Sequence, residues 1–147
     1  MASKATPQDL EALGFSPSQF GNPQDWDVDG GYLQSVLDLA AVQVSEAVGD
    51  SAYAAAATGS REYTYQKQSE LMLAEAELWR RVETFERRSR VSAGQDSGGE
   101  TISSRALKNA EEATSRAWYF LTRLGASEPG SGIAVGFVET GPFEAIG

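Results

Sequence analysis

The chain has no cysteine and no histidine among its 147 residues. Without cysteine there is no disulfide framework, no thiolate metal site and no cysteine nucleophile. Without histidine it lacks the commonest general base and the commonest transition-metal ligand. No apolar run approaches the ~18 residues needed to span a bilayer. The N-terminus lacks a signal-peptide pattern. Together these predict a protein with no membrane segment, made in the cytosol and kept there or in something assembled there. Positive charge is also scarce, with 12 Lys and Arg against 21 Asp and Glu, a net charge of −9. A free-standing DNA binder is usually basic, which argues against that class.

The charge is uneven. Residues 1–50 hold eight acids and one lysine, whereas residues 80–90 hold five arginines and two glutamates. Such a dipolar chain can set its acidic part against the basic part of a neighbouring copy.

Residues 61–90 carry no glycine and no proline. They are rich in Glu, Leu, Ala, Gln and Arg, which lose little entropy in a helix. Leu71, Ala74, Leu78, Val82 and Phe85 recur at intervals of three and four and form one apolar stripe. Met72 and Trp79 widen it. A helix this long in so short a chain must be a spine on which shorter elements pack.

Residues 1–30 read as an arm. Prolines interrupt it, yet it carries Leu10, Leu13, Phe15, Phe20 and Trp26. A solvated tail rarely holds so many large apolar groups. Thr6 followed by Pro7 predicts the start of a short helix. Phe15, Phe20 and Trp26 are its anchors, resting either on the chain's own core or on a partner. The DWDVDGG stretch at residues 25–31 imitates the opening of a calcium loop, but no glutamate follows at the twelfth position. A turn whose acids favour the next helix N-terminus is expected instead.

That helix should run from about Tyr32 to Val48 and stop at Gly49. A short alanine-rich helix around Tyr53 follows. Ser60 can cap the spine. Residues 91–101, with Gly94, Gly98 and Gly99, predict a loop. From Ser103 or Ser104 to Leu124 a last helix repeats Ala106, Ala110, Ala113, Ala117, Leu121 and Leu124, to pack antiparallel on the spine. Residues 125–147 change character. Ile133, Val135 and Phe137 alternate with strand period, and Val138, Phe143 and Ile146 add further apolar anchors. The segment reads as an extended docking arm that could add to a sheet elsewhere. The expected fold is mainly α: a small helical bundle around one long helix (31–124), with an extended arm at each end (1–30 and 125–147).

Catalytic chemistry has little to work with. Glu75 and Glu77 are two apart on a helix and diverge, as do Glu111 and Glu112. No nucleophile elbow and no phosphate-cradling glycine pattern is present. No enzyme, metal or cofactor is expected. The charged feature that stands out is Arg80, Arg81, Arg87, Arg88 and Arg90. Dipole complementarity at a helix C-terminus and the Glu83–Arg87 pair account for part of it. The remainder is assigned to contact between subunits, with phosphate as the other candidate.

YLQSVLDLAAVQVSEAVGDSAYAAAA, then LMLAEAELWRRVETFERR, a glycine-bearing loop and SSRALKNAEEATSRAWYFLTRLG together resemble the head-to-tail adaptor, or connector, proteins of tailed bacteriophages. Val48-Gly49 followed by Tyr53 and alanines matches the end of that family's first helix. The resemblance covers roughly residues 31–125; residues 1–30 lie outside it. It implies a virion protein of the neck, assembled in the host cytoplasm. Such a protein forms a ring, generally of twelve, beneath the portal protein and extends the DNA channel. It offers a platform to neck or tail proteins, with DNA passing without sequence-specific binding. It also implies that the C-terminal arm docks on the portal. The rival is a small helical regulator that binds a protein or DNA partner through its Arg-rich helix end.

Overall fold

A computed structural model describes residues 2–92 and 100–128. Among them are five α-helices, one 3-10 turn and no strand. They are α1 (Pro7–Glu11), the 3-10 turn (Pro17–Phe20), α2 (Tyr32–Val48), α3 (Asp50–Ala55), α4 (Arg61–Ser92) and α5 (Glu100–Arg123). The mainly helical bundle around one long helix is as the sequence predicts. At 32 residues, α4 runs ~48 Å at 1.5 Å per residue.

Helix ends follow local chemistry. Thr6 caps α1, with Pro7 in the first turn, and Asp9 reaches back to the Thr6 N–H in a capping box. The Ser60 hydroxyl accepts from the Tyr63 N–H at 3.1 Å and caps α4. The C-terminus of α5 closes where Ala126 N–H donates to the Leu121 carbonyl at 3.1 Å and Gly125 takes φ +93. The helix begins at Glu100, ahead of the expected Ser103 or Ser104. Nothing in Glu-Thr-Ile breaks a helix, and an acid suits a first turn.

The 25–31 turn starts α2. The carbonyls of Asp25 and Trp26 accept the first free N–H groups of α2, from Tyr32 at 2.8 Å and Leu33 at 3.0 Å. Gly31 is required there: a Cβ would sit 1.9 Å from the Asp25 carbonyl oxygen. No group of three or more acids among the described residues could hold a metal ion.

α4 lies between α2 and α5 and runs antiparallel to both. On one side Leu71, Ala74 and Leu78 meet Leu33, Val36, Leu37 and Ala40 of α2. On the other, Ala76 meets Ala110 and Ala113 of α5, where small side chains let the backbones approach. A third cluster of Ala41, Val44, Tyr53 and Leu121 closes the far end. The apolar stripe found in the sequence is therefore only one of two buried faces. The second, towards α5, includes the fully buried Ser69 beside Ala76, while the buried Gln66 and Glu70 turn towards α3 and the N-terminal segment.

The segment 2–30 is irregular and runs along the bundle, and its anchors rest on the chain's own core. Ala5, Leu10, Phe15 and Trp26 are buried in the α2–α4 cluster, with Phe20 packed against it. Phe15 meets Trp79 edge-on at 5.1 Å, and Trp26 stacks on Tyr32 at 5.5 Å between centroids. The Trp26 indole N–H donates to Glu11 at 3.1 Å. This decides between the two surfaces left open for Phe15, Phe20 and Trp26.

Candidate assembly surfaces

Three features of the bundle bear on function: a buried polar tie, an arginine-lined hollow and an open groove.

The tie is built by α3, α4 and the N-terminal segment. One Glu70 carboxylate oxygen accepts the backbone N–H groups of Lys4 at 2.7 Å and Ala5 at 3.0 Å. The other accepts the Tyr53 hydroxyl. The Lys4 ammonium lies 3.2 Å from the centroid of the Tyr53 ring and donates to the Tyr53 carbonyl at 3.0 Å. Burial raises the Glu70 carboxyl above the ordinary range, against the pull of its hydrogen bonds. It also raises the Tyr53 hydroxyl, which the neighbouring Glu70 carboxylate raises further. Burial lowers the Lys4 ammonium, partly offset by Glu70. Every oxygen of the carboxylate is used inward. The group fastens the first residues to the spine and presents no face to a substrate.

The hollow holds about 260 Å³ between Phe20, Tyr32, Arg81, Thr84, Phe85 and Arg88. It lies where the arginine cluster expected at subunit contacts is found. Most of that cluster is already paired within the chain. Arg81 and Arg80 reach Glu77 at 2.9 and 3.9 Å, and Arg80 also donates to Thr114 at 3.2 Å. Arg81 further sits over the Tyr32 ring at 5.3 Å. Arg87 pairs with the nearly buried Glu83 at 3.2 Å. Arg90 is half-buried at the end of the row. Arg88 is exposed, with no ion pair among the described residues. It is the cluster member best placed to meet a neighbour. Asp25, Asp27 and Asp29 are exposed just before Tyr32, at the same end of the bundle. Three of the eight acids of residues 1–50 thus lie just ahead of Tyr32, over whose ring Arg81 sits.

The groove is larger, about 530 Å³, and opens between α2, α4 and α5. Val36, Leu39, Ala40 and Ala47 of α2, Leu73 of α4 and Trp118 of α5 supply apolar lining, and Gln43, Glu46, Glu77, Arg80, Thr114 and Ser127 line it as well. It exists because α4 holds α2 and α5 on opposite sides and the two barely meet. Leu39 and Val42 stay 47% and 40% exposed on the outward side of α2. The periodicity of α2 marked only the face turned to α4. Leu39, between its members, was the available signal for this second surface. Glu70 had no such signal, since nothing local separates a buried glutamate from a solvated one. The C-terminal anchors Ile133, Val135, Phe137, Val138, Phe143 and Ile146 lie outside the described residues.

No known protein family, curated protein or solved structure matches this chain.

Proposed function

We propose that the chain is a head-to-tail adaptor of a tailed phage: a structural protein of the virion neck. In this reading it forms a ring under the portal, extends the DNA channel and carries neck or tail proteins. The observation that best supports it is the groove between α2, α4 and α5, with the exposed Leu39 in its lining. Apolar surface left open on a small bundle marks a place for another segment or protein. The buried tie at Glu70 supports it too, because it makes the bundle a firm platform from Lys4 onward. The sequence resemblance to connector proteins supplies the specific role. The negative charge suits a channel through which DNA slides without sticking.

The arginine-lined hollow favours a second reading, a helical regulator that grips an anionic partner, since Arg81 and Arg88 flank aromatic rings there. Negative-stain imaging separates the two, using the full chain alone and mixed with the portal protein encoded in the same genome. Rings, free or seated on the portal, are expected. A monomer that ignores the portal and binds duplex DNA in a salt-dependent way would replace the adaptor with the regulator.

A further inference from the structure

We infer that the hollow beside Arg81 and Arg88 receives the Asp27-Val28-Asp29 tip of a second copy of this chain. The two surfaces complement each other. Three aromatic rings, Phe20, Tyr32 and Phe85, and two guanidinium groups, Arg81 and Arg88, line the hollow. Its occupant should therefore be an apolar side chain flanked by acids. The chain displays that combination on itself. Val28 is 49% exposed, and Asp27 and Asp29 on either side of it are exposed too. Neither acid has an ion pair among the described residues. Val28 does not line the hollow of its own copy, so the tip that enters it must come from another.

Both surfaces are set before they meet, which lowers the entropic cost of association. In the tip, the Gly31 N–H donates to the Val28 carbonyl at 2.9 Å and the Tyr32 N–H to the Asp25 carbonyl at 2.8 Å. In the hollow, Arg81, Thr84, Phe85 and Arg88 share one face of α4 by their spacing of three, four and seven. Phe85 rests on Gly21, where a Cβ would sit 3.2 Å from its ring. Glu77 steadies Arg81 at 2.9 Å. Arg88 has no such partner among the described residues. It is left to take a carboxylate in a charge-assisted hydrogen bond. At about 260 Å³ the hollow has room for a side chain and its flanks, not for a helix. Tip and hollow are different surfaces, so each copy can engage one neighbour with each, as a ring requires. The contact presupposes the part of the adaptor reading in which copies join, not the phage role.

Sedimentation velocity of the full chain over a concentration series, at low and high salt, tests it. The parent should associate, and more weakly at high salt. Val28→Gln blunts the tip and Arg88→Glu repels the acids, both at exposed positions. Each alone should raise the Kd of self-association ~10-fold or more. An equimolar mixture of the two should form a one-to-one pair, because the first keeps a sound hollow and the second a sound tip. Loss of fold in either variant would not allow that rescue. Variants that associate like the parent would overturn the docking and leave ring formation to another surface, which imaging with the portal reads separately. A mixture that stays apart would overturn it as well. So would a parent that remains monomeric; if added duplex DNA then moved the Thr84 and Arg88 amide signals, the hollow would belong to nucleic acid.

Discussion

The hydroxyl of Tyr53 on α3 donates to the carboxylate of Glu70 on α4, whose other oxygen holds the Lys4 and Ala5 N–H groups. Three segments far apart in sequence meet on one buried side chain. Glu70→Ala leaves the buried donors without an acceptor, at ~1–3 kcal/mol each. Glu70→Gln keeps one acceptor and should lose less. Urea unfolding midpoints of both variants against the parent check the order, and an unchanged midpoint for Glu70→Ala would refute the tie.

The same carboxyl gives stability an acid-side pH dependence. Burial raises its value in the folded state above the ordinary 4.5. Between the two values the folded protein holds a proton that the unfolded chain has released. Stability from this group is therefore greatest at the acid end of that window and declines as pH rises through the folded value. Subtracting the Glu70→Gln profile from the parent's should leave that decline alone; a difference that grows with pH would reverse the assignment.

Arg88 and Arg87 should separate when each is changed to Glu. Arg88→Glu alters an exposed charge beside the hollow and should weaken assembly with little effect on the folded monomer. Arg87→Glu sets like charge against the nearly buried Glu83 and should lower monomer stability. Sedimentation at low and high salt reads the first and thermal melting the second. Assembly that is indifferent to salt would speak against a charged subunit contact.

Truncation after Glu128 should leave the bundle's melting temperature near that of the parent and abolish attachment to the portal. The cut must spare Gly125 and Ala126, whose N–H groups close α5 on the Thr122 and Leu121 carbonyls. A truncated chain that still attaches would remove residues 129–147 from the docking step.

Gly31→Ala places a methyl against the Asp25 carbonyl oxygen. Overpacking of this kind costs ~1–3 kcal/mol, and here the neighbour is backbone that also starts α2. Calorimetric melting checks it; a silent substitution would show that the turn can open without loss.

Most of the helical layout was legible because it is local. Gly49, Ser60 and Gly125 punctuate the chain, and the spacing of Leu33, Val36, Leu37 and Ala40 has one helical interpretation. The far-side seam of α4 was not legible: Ser69, with its hydroxyl on the Tyr65 carbonyl at 2.7 Å, looks in sequence like any solvated serine. The fate of Phe15, Phe20 and Trp26 was equally open, since apolar side chains do not say whose core they enter.

By itself, then, the order of residues determined the main helices, most of their ends and an apolar face for the long ones, since these depend on neighbours within about one turn. Tertiary structure alone decided that Glu70 is a tie and that residues 2–30 lie on the bundle. It also opened the α2–α4–α5 groove. The reason is distance along the chain. Burial and pairing of a polar side chain are set by segments that fold onto it, such as Lys4 and Glu70, 66 residues apart.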